Sequence, residues 1–121
     1  MAQWYGVWNS QLPVAALTAN ATGTQASALT GANSQIPANV LACTVASAVS
    51  GYSVVLPPSS VGGQVDVQLT TPATTAVVFP YPGDAINALG VNAGLTMNAV
   101  TSTTFTCVVQ GQWWTNPRVP S

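Results

Sequence analysis

The chain has 121 residues, 48% of them apolar, and its only acidic and basic side chains are Asp66, Asp84 and Arg118, with no Lys, Glu or His; an ordinary soluble domain is roughly a quarter charged. Binding to a nucleic-acid backbone is excluded because it needs several cations to neutralise phosphates, as is electrostatic attraction to an anionic membrane. A net charge of -1 leaves little self-repulsion, so an assembled state is expected rather than a free monomer.

Residues 1–36 read as an extended arm rich in Ala, Thr, Gln, Asn and Gly. No stretch reads as an amphipathic helix of more than a turn or two, and ALTANATGTQASAL reads as either helix or non-helix. The arm opens with Trp4, Tyr5 and Trp8, aromatic side chains that favour a partner surface over water. The first residues lack a basic and apolar leader pattern, and no apolar run reaches the roughly 18 residues that span a bilayer. The expectation is synthesis in a cytoplasm without an export signal.

Residues 37–121 read as one β domain. Apolar residues alternate at Leu41, Cys43 and Val45; at Tyr52, Val54 and Leu56; at Val65, Val67 and Leu69; at Val77 and Phe79; at Leu95 and Met97; and at Phe105, Cys107 and Val109. Period-two alternation is the mark of half-buried antiparallel strands, and PPSSVGG, TTPATT, PYPGD and GVNAG punctuate them. The expected fold is all-β, a small antiparallel sandwich or barrel. Its expected core comprises Val54, Leu56, Val65, Val67, Phe79, Ile86, Phe105, Cys107 and Trp113. Lone β domains protect their edges with charge, especially Lys; with none here, neighbouring subunits are expected to cover them.

Candidate chemistry is sparse. A Ser, Thr or Cys nucleophile has no His or Lys to activate it, and paired-carboxylate chemistry would have only Asp66 and Asp84, so no enzymatic activity is expected. Two Cys without His do not complete a zinc site, and a calcium site at Asp84 and Asn87 would have one carboxylate; neither metal nor cofactor is expected. In PGDAIN, Gly83 supplies a turn and Asp84 is expected to accept backbone N–H bonds from the residues just after it, with Asn87 completing the turn. Cys43 and Cys107 are either two buried thiols, the state a reducing compartment favours, or a disulfide. Trp113 is expected to pack the end of the domain and Trp114 to cap a subunit contact, with a sugar-stacking platform as the alternative.

The stretches GYSVVLP, GGQVDVQLTTP, VVFPYPGDAINALGVNAGLTMNA and TFTCVVQGQW occur in that order between about Ala42 and Trp113. Together they resemble a β-rich module of tailed-bacteriophage structural proteins. Gly83, Asp84, Ile86 and Asn87 match its turn, Phe105 and Cys107 its last strand, and Gly111 and Trp113 that strand's end; residues 1–36 lie outside it. The resemblance implies a capsid decoration, or cement, protein on the outer capsid surface of the virion. Such a protein bridges neighbouring major capsid proteins as a homotrimer, without nucleic acid or membrane. Trp4, Tyr5, Trp8 and Trp114 are its expected interface anchors. The alternative is a receptor- or glycan-binding module of a tail fibre or spike.

Overall fold

Through its middle the chain lays strands alternately in two sheets, and there like strands of successive coils run parallel. The computed structural model describes residues 14–38 and 40–116. Its strands are β1 (Val14–Thr18), β2 (Ala42–Ala46), β3 (Tyr52–Val55), β4 (Gln64–Leu69), β5 (Ala76–Phe79), β6 (Ala85–Ile86), β7 (Leu95–Met97), β8 (Ser102–Val109) and β9 (Gln112–Asn116); one short helix, α1, spans Gln25–Thr30. The larger sheet has the order β1-β2-β4-β8-β9-β6 and the smaller β3-β5-β7. From β2 to β5 the chain crosses between the sheets at every step, which makes the winding solenoid-like.

The all-β class is therefore present, but the antiparallel expectation needs correction. Strands β1, β2 and β4 pair in parallel, as do β3 and β5. Only β7, β8 and β9 introduce antiparallel ladders, β7 against β5 and β8 between β4 and β9. Alternation encodes which face of a strand is buried and says nothing of strand direction. Between β2 and β5 consecutive strands go to different sheets, so β2 and β4, and β3 and β5, come from successive coils and point the same way.

Inward-facing side chains of both sheets make one core. It includes Val45, Val54, Leu56, Val67, Leu69, Val78, Leu95, Phe105 and Trp113. Fully burying a large apolar side chain contributes about 1.5–3 kcal/mol relative to exposure, so this set supplies the main driving force. The expected core residues Val54, Leu56, Val65, Val67, Ile86, Phe105, Cys107 and Trp113 are all buried.

Phe79 is the exception and is only half-buried. Val54 pairs with Val78 and Tyr52 with Ala76, and it is Ala76 and Val78 that are buried. Val77 and Phe79 point to the other side, where a Cβ added to Gly94 would lie 2.5 Å from Val77 Cγ1 and 2.9 Å from Phe79 Cε1. The run AVVF is apolar throughout, so its parity is invisible without the partner strand. A register shift between Cys107 and Val109 likewise leaves Val109 outside, and Leu41, just before β2, is exposed.

The boundary at residue 36 also needs correction for residues 14–36. Strand β1 forms an edge of the larger sheet, and Leu17, Ala19 and Ile36 join the core. Helix α1 starts at a reciprocal cap, in which Ser27 N donates to Thr24 Oγ1 and Thr24 N to Ser27 Oγ, both at 3.1 Å. Ile36 N donates to Val55 O and Val55 N to Ser34 O, so this segment extends the smaller sheet beyond β3. The first thirteen residues of the expected arm lie outside the described residues.

A buried amide joins the end of the larger sheet to its last turn. Asn87 donates from Nδ2 to Thr115 Oγ1 at 3.0 Å and accepts at Oδ1 from Thr115 N at 3.1 Å. Its backbone N donates to Trp113 O at 2.8 Å. It adopts φ 51, a left-handed conformation that Asn tolerates better than most residues. Replacing Asn87 by Ala removes both side-chain bonds from a buried site and is expected to lower unfolding free energy by about 2–4 kcal/mol. Urea unfolding checks this; an unchanged midpoint and slope would contradict the assignment of Asn87 as a latch.

Candidate functional site

The outward face of the larger sheet carries a set of polar side chains around the charge of Asp66. Register lines up Val14, Ala42, Asp66, Thr104 and Asn116 across five strands. A second row holds Ala16, Thr44, Gln68 and Ser102, and a third Gln64, Thr106 and Trp114. The short side chains of Ala42 and Thr44 pair with Asp66 and the long Gln68. That difference in length shapes a groove of about 330 Å³, bordered by Asp66, Gln68, Ser102, Thr104 and Asn116.

The Thr104 hydroxyl donates to Asp66 Oδ1 at 2.5 Å, which fixes the carboxylate on the exposed face. The described residues include no Lys, Arg or His, because the single Arg is Arg118. Trp114 is 37% exposed at the edge of this face, where a subunit contact was expected. Trp4, Tyr5 and Trp8 lie outside the described residues.

The turn containing Gly83 and Asp84 is structural in its bonding. Gly83 adopts φ 95, and its N–H donates to Asn92 Oδ1 at 2.8 Å. The Asp84 carboxylate accepts at Oδ2 from Ser59 N at 2.9 Å. The expected bonds to residues just after Asp84 are thus replaced by one to a residue far back in sequence. Ser59 Oγ in turn accepts from Gly111 N at 2.8 Å, so Asp84 links three segments. Asn92, through its N–H to Asp84 O at 2.9 Å, and Gln25, through Nε2 to Pro80 O at 2.7 Å, complete the tie to α1. Alternation placed Asp66 and Gln68 outward; the roles of Ser59, Asn92, Thr104 and Asn116 depend on register and loop closure, for which the sequence carries no local signal.

Among the described residues no cluster of three or more His, Cys, Asp or Glu side chains is assembled for a metal. No helix among them is long and apolar enough to cross a membrane. A second groove, of about 360 Å³, is mainly apolar, with Ile36, Pro37, Pro57, Pro58 and Tyr81 on its walls. Beside it Trp113 fills the end of the core with its indole Nε1 buried and without a hydrogen-bond acceptor, a cost of about 1–3 kcal/mol.

Both cysteines are free and buried. Burial, with a smaller effect of the Asp66 charge, pushes the Cys43 thiol from 9.0 up to about 12. Cys107 Sγ lies 3.3 Å from Val109 O as a donor. Neither thiol has the exposed, electropositive surroundings of a reactive cysteine.

Comparison with family models, with curated proteins and with solved structures returns no match.

The Cys43 shift has a definite sign for stability. The unfolded thiol ionises near pH 9 while the folded one stays protonated to about pH 12, so stability falls as pH rises through that window. At pH 8 both thiols are expected to resist a disulfide reagent in the folded protein and to react fully in denaturant. Rapid labelling of either in the native state would contradict the burial.

Proposed function

We propose that the protein is a structural virion component that seats on the outside of a phage capsid and cements neighbouring major capsid proteins. The observation that carries this reading is the character of the folded surface. Among the described residues it bears two carboxylates, no cation, and exposed large apolar side chains at both ends of the larger sheet. Val61, Val108 and Val109, each more than 60% exposed, come together at one end, where Gly62 N donates to Cys107 O and Cys107 N to Gly63 O, both at 2.8 Å. Val49 and Val100 are exposed in the turns at the other. Large exposed apolar patches mark interaction surfaces, and neutral contacts keep their strength as salt rises, unlike surface ion pairs.

The resemblance to phage structural modules supplies the particular setting. Its quoted stretches coincide with β3, β4, the run from β5 to β7, and the β8–β9 hairpin. The two sheets over one core are read as a sandwich laid down by coiling. The acting unit is a homotrimer, since closed symmetry suits a shell position and identical neutral faces. The role is one of contact rather than catalysis, with the capsid protein as partner and Trp4, Tyr5, Trp8 and Trp114 as anchors. Many copies, each with modest affinity, stabilise a shell through multivalency.

Purified protein mixed with emptied shells of the matching phage tests this. Saturable binding and a rise in shell melting temperature are expected, and deletion of residues 1–10 is expected to abolish binding while leaving the far-UV spectrum unchanged. Shells that take up no protein would overturn the reading. Full occupancy by the truncated chain would remove the arm from the interface.

A further inference from the structure

Each of the two sheets ends in two edge strands, β1 and β6 in the larger, β3 and β7 in the smaller. The chain closes all but the last with its own groups. On β1, Thr18 N donates to Asn33 O at 3.0 Å, and Ala16 O accepts from Asn33 Nδ2 at 3.1 Å. On β3, Ser53 N donates to Asn20 O at 3.1 Å and Val55 N to Ser34 O at 3.0 Å. On β6, Asn92 N donates to Asp84 O at 2.9 Å, which brings Val91 opposite Ala85.

Strand β7 is left open. Leu56 N donates to Phe79 O at 2.8 Å, so the backbone groups of Val77 and Phe79 face β3. Those of Ala76 and Val78 then face β7, where they pair with Met97 and Leu95. The N–H and C=O of Thr96, between these two, therefore point away from the sheet. Among the described residues nothing bonds to them. The same alternation turns the backbone groups of Gly94 and Asn98 outward.

An edge of this kind is normally guarded by Lys, by Pro or by a bulge. Here the outward residues are Gly94, Thr96 and Asn98, with no charge and no Pro among them. The side chains of Val77 and Phe79 lie over Gly94 beside the edge and are only half-buried. A strand added there covers apolar surface as well as pairing its backbone.

The edge is also complementary to itself. Laid antiparallel and centred on Thr96, two copies of β7 are related by a two-fold axis. Thr96 then exchanges both backbone bonds with Thr96 of the partner subunit, and Gly94 faces Asn98 of the partner subunit on either side. One geometry satisfies both open edges at once, which no closed edge of this chain offers.

We propose that β7 is a self-pairing edge, through which the smaller sheets of two copies of this chain join into one continuous sheet. A two-fold contact cannot close a ring of three. The contact is therefore separate from the homotrimer of the cement reading, and it stands or falls without regard to shell binding.

Disulfide cross-linking of the full chain under oxidised glutathione tests this. Cys43 and Cys107 are buried, so an introduced thiol is the reactive one. Thr96 and Asn98 are both exposed, and each is replaced by Cys in turn. Opposed residues of a hydrogen-bonded antiparallel pair have Cα atoms about 5.5 Å apart, within the span of a disulfide. Asn98 and its symmetry mate are offset by four residues, roughly 13 Å along the strand. Thr96→Cys is expected to form a disulfide-linked dimer about tenfold or more faster than Asn98→Cys. In sedimentation velocity at low salt, Thr96→Lys and Thr96→Glu are each expected to lose the pairing alone and to regain it when mixed, because like charges directly opposite repel and unlike charges attract. Absence of the Thr96→Cys dimer, equal rates for the two cysteine variants, or no recovery on mixing overturns the proposal. Cross-linking that appears only once residues 1–10 are deleted also overturns it, by showing that the chain's own arm fills the edge.

Discussion

Near-absence of charge is the constraint on which the rest of the structure depends. With two acids and one base in 121 residues, buried polar groups must be satisfied by neutral donors and acceptors. Ser47 shows how: its N–H donates to Thr71 Oγ1 at 2.9 Å, and its hydroxyl reaches Val49 O and Thr75 O at 2.8 and 3.0 Å. Ser53 does the same between sheet and helix, with its hydroxyl donating to Thr24 O at 3.0 Å. Each such bond contributes only about 0.5–1.5 kcal/mol net, but losing one partner in a buried site costs more. Small hydroxyl and amide side chains thus hold turns together where another protein would use ion pairs.

Coiling and low charge together shape the outer face. Parallel strands usually sit in sheets covered on both sides, and β1, β2 and β4 depart from this. Their outward positions hold Ala16, Ala42, Thr44 and Gln68 beside Asp66 rather than a continuous apolar run. Such a face tolerates water yet has little charge to lose when it is covered. The same rows bring together side chains from five strands through register alone.

How far this was legible in the sequence follows from what each signal encodes. Alternation in GQVDVQL identified the inward Val65, Val67 and Leu69 and the outward Gln64, Asp66 and Gln68, because both sets differ in polarity. It failed at AVVF, where both faces are apolar and only pairing with β3 decides that Val78 is inside. It also failed for residues 14–36. Their Ala, Thr and Asn content lacks strong alternation, and β1 becomes a strand through its ladder with β2 rather than through its own pattern. The PGDAIN turn was recognisable, but Ser59, Gly111 and Thr115, the partners of Asp84, Ala85 and Asn87, lie 25 to 28 positions away and follow only from the closed fold.

The proposed role requires this surface to make neutral contacts between protein subunits. Sedimentation equilibrium of the full chain, over a range of protein concentrations and from low to molar NaCl, tests it most directly. A discrete oligomer, three chains in the favoured case, is expected, with a mass that persists as salt rises because apolar and hydrogen-bonded contacts hold it. A species that remains monomeric at every concentration, or an oligomer that dissociates as salt is added, would contradict it.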